Sequence, residues 1–274
     1  MRAADPRAPG DNGGLFELVS GAPARRFGKV GCARVHAAPG GPALCVSLTD
    51  NGYDYEAVIL GEDGEARDRF AVDGFPSRVR VSRDGRYGAY TMFEDERHGY
   101  FDDSGEFSTT TAIVDMRNGR ELLALDDYRM TIDGEPGPPA GELWGVTFGD
   151  GGRFYATFAT GRSHLLIGGR VSSYRLRVIG EDVECPSLSP DGARIAYKRR
   201  IGNRNRWRLH VRDLDGGRDR ALAETDSVDD QPEWLANGLV AYSKEGAVYA
   251  VRADGSGLPM AVADRAASPA SLMP

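Results

Sequence analysis

Cys185-Pro186-Ser187-Leu188-Ser189-Pro190-Asp191-Gly192-Ala193-Arg194-Ile195-Ala196-Tyr197 reads as a short strand, a tight turn and a second, apolar strand. The turn reappears as Ser82-Arg83-Asp84-Gly85-Arg86, as Gly149-Asp150-Gly151-Gly152-Arg153 and, eroded, as Ala236-Asn237-Gly238. After it come Tyr87-Gly88-Ala89-Tyr90, Phe154-Tyr155-Ala156-Thr157 and Leu239-Val240-Ala241-Tyr242. Asp-Gly and Asn-Gly tolerate the positive φ that a type I′ turn needs at both central positions, so each copy is expected to be an antiparallel hairpin of that type.

The turn glycines Gly41, Gly85, Gly151, Gly192 and Gly238 stand 44, 66, 41 and 46 residues apart. Roughly 40 to 45 residues is the span of four strands and their turns in a propeller blade, and several such units are needed to bury a shared core. The long interval carries extra loop, placed at 94–109 between the second and third strands of blade 2 and at 129–141 leading into blade 3. In the best-read blade the third strand alternates Trp207, Leu209 and Val211 with Arg208, His210 and Arg212, so one face packs on a neighbour. Outer strands such as 68–72 and 121–125 carry charge, as exposed edges should.

Five blades fit between about residue 32 and residue 264, with a remnant at each end. Ser268-Pro269-Ala270-Ser271-Leu272 is similar to Cys185-Pro186-Ser187-Leu188, an inner strand, while 15–19 and 25–27 read as outer strands. The expected fold is therefore all-β: a six-bladed β-propeller whose last blade is completed by N-terminal and C-terminal strands. Residues 1–13 read as a disordered lead and 14–274 as one propeller domain. The 36 glycines and 15 prolines agree with many short strands joined by tight turns.

A net charge of −7 argues against nucleic acid or an anionic membrane as partner, because such binding draws its affinity from clustered Lys and Arg. The exception is the run Lys198-Arg199-Arg200 with Arg204 and Arg206, read as a solvated hairpin tip. No stretch approaches the roughly 18 apolar residues of a membrane span, and the N-terminus has no apolar signal core. Cys32 and Cys45 flank the turn Pro39-Gly40-Gly41-Pro42, so a hairpin there brings them toward disulfide distance; two free thiols are the alternative. Cys185 reads as a small buried side chain. The chain is extracytoplasmic if a leader has been removed and cytoplasmic if Met1 is the native start.

The order inner strand, Ser-Pro-Asp-Gly, Ile-Ala-Tyr seen in 186–197 resembles the repeat of TolB-like six-bladed propellers, also called WD40-like Pro-Asp repeats, from about Leu15 onward. Trp144-Gly145-Val146-Thr147-Phe148, Trp207-Arg208-Leu209-His210-Val211 and Ser227-Val228-Asp229-Asp230-Gln231-Pro232-Glu233-Trp234-Leu235 further resemble an actinobacterial group described as TolB-like translocation proteins. The resemblance implies a scaffold and a binding role, not a reaction.

Propellers bind ligands where the chain enters the inner strands, at the mouth of the central channel. By this register the mouth holds Arg34, Arg78, Trp144, Glu184, Asp229, Asp230 and Gln231. The acids suit a hard cation such as calcium, or else cap turns and pair with Arg34 or Arg78; with no EF-hand spacing, the second reading is preferred and no cofactor is expected. His36, His98, His164 and His210 fall in different blades without zinc spacing, so no metal site is assigned. No Gly-x-Ser-x-Gly elbow or phosphate loop is present. In the insertion, Phe93, Tyr100, Phe101 and Phe107 among six acids read as a flap able to anchor a partner. The leading expectation is a non-catalytic, monomeric scaffold binding a protein, peptide or glycan at the mouth or flap. The alternatives are a lyase or hydrolase using mouth carboxylates, and a purely structural module.

Overall fold

A computed structural model of the chain describes residues 1–3, 13–18, 24–94, 108–127, 129–136, 141–161, 163–202, 206–235 and 238–271. The expected hairpins form. Five antiparallel sheets follow one another along the sequence, each built inner strand first and outer edge last, in a β-propeller arrangement. Blade 1 comprises Arg34–Ala37, Ala43–Leu48, Tyr55–Leu60 and Ala66–Val72; blade 2 comprises Phe75–Val81, Tyr87–Phe93, Thr109–Asp115 and Glu121–Ala124. Blade 3 comprises Glu142–Phe148, Arg153–Thr160, Ser163–Arg170 and Arg175–Glu181; blade 4 comprises Glu184–Leu188, Arg194–Arg200, Trp207–Asp213 and Asp219–Ala221. Blade 5 comprises Glu233–Leu235, Leu239–Lys244, Ala247–Arg252 and Met260–Ala263.

The connecting turns differ from expectation. At 189–194 the Gly192 N–H donates to the Ser189 carbonyl, so Pro190 and Asp191 are the central residues, neither has a positive φ, and the positive φ, 70°, falls on Gly192 after them. A type I′ turn is excluded because Pro190 holds its own φ near −65° at the first corner position; the chain makes a type I turn and then lets glycine reverse it. Asp191 completes the turn by accepting from Ser189 Oγ and the Ala193 N–H, and Asp84 does the same with Ser82 Oγ and Arg86. Aspartate is selected here as a side-chain acceptor.

The two insertions fall where the sequence placed them. Residues 94–108 link the second and third strands of blade 2, and the second insertion makes a small hairpin, Thr131–Ile132 with Glu135–Pro136. That hairpin extends the outer edge of blade 3 by a parallel pairing of Thr131–Ile132 with Arg175–Leu176. Phe93 is the last residue of a strand, paired with Phe75 on one side and Thr109 on the other. Tyr100, Phe101 and Phe107, like His98, lie outside the described residues.

The space between blade 5 and blade 1 is filled from both ends of the chain. Ala266–Ala267 pairs with Arg2–Ala3, the Met1 and Phe16 backbones exchange two hydrogen bonds, and Phe16–Glu17 pairs with Arg25–Arg26. Four short strands thus stand in blade order, with a C-terminal segment innermost. Arg2–Ala3, read as part of a lead, is a strand because its backbone closes this ladder. Apolar clusters lie between every successive pair of sheets: Leu15 and Phe27 pack with Val35 and Val58 on one side of the composite, and Met1 and Ala266 with Ala241 and Val248 on the other. Cys32 and Cys45 form a disulfide inside the first of these clusters, with Cα atoms 5.5 Å apart.

Candidate functional site

The inner strands place alternate side chains along the channel, since successive residues of a strand face opposite ways. From the mouth inward these are Arg34 and His36 in blade 1, Arg78 and Arg80 in blade 2, and Gln231 and Glu233 on the approach to blade 5. The mouth is sharpened by bulges. The register slips between Trp144 and Thr147 and between Glu184 and Ser187, around Gly145 (φ 64°) and Cys185 (φ 49°). A Cβ on Gly145 would come 2.8 Å from the Cys185 Cα, so glycine is required there.

A hydroxyl on the second strand serves the bulge of the following blade: the Cys185 N–H donates to Thr157 Oγ1 at 2.9 Å, and the Ser268 N–H to Ser243 Oγ at 3.1 Å. Ser268 shares the positive φ of Cys185, each just before a proline, but the strand here is Ala266–Ala267 and does not extend over 268–271, where the sequence placed it. Blade 4 departs from this pattern. Opposite Glu184 it carries Lys198, where the strand opposite Arg78 carries Thr91 and the strand opposite Trp144 carries Thr157.

Lys198 is 3% exposed. Its ammonium meets Asp229 in a close ion pair, lies 3.8 Å from Glu184 Oε2 and sits 4.4 Å above the Trp207 ring. Within the basic run, then, Lys198 is the exception: Arg199 is half-buried, and Arg200 and Arg206 are exposed as a solvated tip should be. Lys198 and Arg199 lie near the end of a strand whose alternation turns Lys198 into the channel and leaves Arg199 outside, on Asp182 and Asp219. Burial alone would lower the Lys198 pKa, but Asp229, with Cys185 and Glu184, raises it.

The other residues read as mouth residues lie near one another, and most are engaged with one another or with backbone. Arg78 lies 3.7 Å from Asp229 and donates to the Ser77 carbonyl at 2.9 Å; against the cost of burial, Cys185 and the two aspartates raise its pKa. Arg34 donates to the same carbonyl at 2.7 Å, and burial together with the nearby Arg78 charge lowers its pKa. Asp230 accepts from the Ser243 N–H at 3.0 Å. Glu184 lies 3.7 Å from His164 and 3.6 Å from Arg200. His164 stacks edge-on to Trp144, and desolvation keeps its pKa below the ordinary value. Gln231 lies deeper than expected: its amide donates to the Val146 and Pro186 carbonyls, stitching blades 3 and 4 together.

Below Gln231 a bridge crosses the axis that the sequence reading missed. Arg80 pairs with Glu233 from the opposite blade and donates to the Pro232 carbonyl, and the Ser271 N–H donates to the same carboxylate. The Val81 N–H donates to His36 Nδ1 at 3.1 Å, which leaves the proton of the neutral ring on Nε2, 3.2 Å from Glu233. Burial and the Arg80 charge lower the His36 pKa. Glu233 is brought down to about 2, because Arg80 and His36 outweigh a desolvation that would raise it. His210 sits on the outer part of blade 4 with Asp219, as its alternation implied. Among the described residues no group of three His, Cys, Asp or Glu side chains is placed to hold a metal ion.

No protein-family profile and no curated protein matches the chain. Among solved structures it superposes on TolB from Acinetobacter baumannii with a TM-score of 0.57 and 16% identity, over 86% of this chain and 56% of that one. A putative TolB from Agrobacterium tumefaciens gives 0.57 and 13%, over 87% and 83%. A Mycobacterium tuberculosis puromycin-hydrolyzing peptidase gives 0.58 and 14%, over 93% of this chain but 42% of that one. The chain thus spans little more than half of the first TolB and less than half of the peptidase. The likeness is one of fold, that of TolB-like β-propellers.

Proposed function

We propose that the chain is a non-catalytic, six-bladed propeller, counting the composite as the sixth blade, and that its mouth binds an acidic peptide segment or chain end of a partner protein. The observation that carries this reading is the charge at the mouth. Arg34, Arg78, Lys198 and Arg200 stand against Glu184, Asp229 and Asp230, and the surplus cation Arg200 is the exposed one, its side chain 38% accessible. A carboxylate arriving along the axis meets Arg200 first and then the Asp229 pair, which is itself partly open. A guanidinium suits such a partner because its fork binds a carboxylate at two points.

An enzymatic role has less support. The mouth carboxylates are occupied in ion pairs and backbone bonds, and the carboxyl groups whose pKa the fold displaces, such as Glu233, Asp219 and Glu224, move down, opposite to a general acid. Export also fits: a disulfide persists in an oxidising compartment, and no helix among the described residues is long and apolar enough to cross a membrane. Mass measurement of the natively produced protein under non-reducing conditions should find residues 32 and 45 linked; free thiols there would argue for the cytoplasm.

The binding test uses a library of acidic peptides, each with a free or an amidated C-terminus, titrated against the full chain. Binding should weaken at least tenfold on Arg200→Ala and on raising salt from 50 to 200 mM. Salt-independent binding, or turnover of the peptides in the mass spectrum, would overturn the proposal.

A further inference from the structure

At the far end of the channel the hairpin turns of blades 2, 3 and 4 surround a second, polar cavity of about 250 Å³. Its floor is the His36, Arg80 and Glu233 bridge, Trp234 and Tyr155 form part of its wall, and Arg83, Asp84 and Asp150 stand at its rim. A cavity of that size admits a ring-sized solute.

Two features define what would fill it. Arg80, 6% exposed, spends Nη1 on Glu233 and Nη2 on Pro232, while its Nε is buried without an acceptor. Closed off from water, that donor belongs to the floor, and the contacts to a bound molecule are left to the rim. The charges around the cavity also nearly cancel. Asp84, Asp150, Asp191 and Glu233 face Arg80, Arg83 and Arg153, with Arg194 paired to Asp191 from outside. An ion of either sign is therefore not favoured. The rim offers guanidinium donors beside carboxylate acceptors, since Asp84 uses only Oδ1 in its turn and leaves Oδ2. A hydroxyl uses both kinds at once through a single atom.

We propose that the turn end of the channel is a separate binding site for a neutral, polyhydroxylated molecule of monosaccharide size. It is independent of the peptide reading of the mouth, from which the bridge divides it.

The test is saturation-transfer difference NMR on the full chain with D-glucose, D-galactose, D-mannose and N-acetyl-D-glucosamine as separate probes. At least one should give saturable transfer, unchanged between 50 and 500 mM salt. Asp150→Asn and Arg83→Ala, both exposed and outside the core, should each raise its apparent Kd tenfold or more, and Arg200→Ala at the mouth should leave it unchanged. The site is refuted by absence of saturable transfer from all four sugars, by binding that ignores both rim variants, or by binding that follows Arg200→Ala. Each of those results would leave the peptide titration to stand or fall alone.

Discussion

The two ends of the channel use the same residue types to opposite effect. At the mouth, charges from blades 1, 2, 4 and 5 are linked in an open chain, with Asp229 between Lys198 and Arg78 and with exposed Arg200 at the margin. Deeper in, His36, Arg80 and Glu233 form a closed set, each buried and each bonded to the others and to backbone, with the Arg80 Nε left over. The difference teaches that position along an inner strand, more than residue type, decides whether a charged side chain holds the ring together or remains able to exchange partners. The buried bridge ties blade 5, blade 2 and the C-terminal segment through one carboxylate, so it belongs to ring closure. The mouth keeps one more cation than it has acids, and the proposed recognition rests on that difference.

The largest effect should come from breaking the bridge. Glu233→Ala leaves Arg80 buried without its counter-charge and is expected to cost about 3–5 kcal/mol in urea unfolding. A loss below about 1 kcal/mol would show that the bridge does not hold the ring. The same carboxylate governs the acid limb. Its folded pKa of about 2 lies below the unfolded value near 4.5, so its contribution is complete above 4.5 and disappears as pH falls from there toward 2. The magnitude is about 3 kcal/mol at 1.36 kcal/mol per unit. His36 acts in the same direction at higher pH: with a lowered folded pKa, its part is present above 6.5 and is lost as pH falls below that value. Stability measured against pH should therefore decline in two stages in the wild type, and the stage below 4.5 should be smaller in Glu233→Ala, where only the other lowered carboxylates, among them Asp115, Asp219 and Glu224, remain.

The mouth should give smaller changes and an alkaline signature. A double-mutant cycle of Lys198→Thr with Asp229→Ser is expected to show a coupling of about 1–2 kcal/mol, within the range for contacting residues and less than the bridge because Asp229 is partly solvated. Because the Lys198 pKa is raised, its contribution is complete below 10.5 and is lost only as pH climbs above that value. A coupling indistinguishable from zero would make the two ends more alike than described. Smallest of all, Arg83→Ala and Asp150→Asn at the turn rim should change stability by no more than about 0.5 kcal/mol, as surface substitutions do.

Much of this architecture was legible because propeller blades write themselves locally. Ser189-Pro190-Asp191-Gly192 specifies its hairpin from within five residues, and Cys32 and Cys45 are brought together by the turn between them. Ser268-Pro269 disclosed the backbone turn that Cys185-Pro186 also makes, although the strand ends just before it, at Ala267. The turn type was misread because Asp-Gly was weighed without the proline before it. The bridge was missed because its partners come from different blades, 44, 153 and 197 residues apart, where no local pattern connects them. Signals were nevertheless present. Arg34 with His36 and Arg78 with Arg80 are spaced by two on strands, so whatever faces the mouth has a companion facing deeper. Lys198 likewise stands beside Tyr197 where the aligned strands continue from Tyr90 to Thr91 and from Tyr242 to Ser243. A lysine in a column of hydroxyls marks a position doing something other than capping the next blade.

The three tryptophans divide between the ends, Trp144 and Trp207 at the mouth and Trp234 beside the turn cavity, and so provide the most direct test. Fluorine NMR of the full chain carrying 5-fluorotryptophan should show three resonances. An acidic peptide that binds is expected to shift the two mouth signals and leave Trp234 in place, and a binding sugar to shift Trp234 alone. Movement of all three by either ligand, or of Trp234 by the peptide, would contradict a channel divided into two ends with separate tasks.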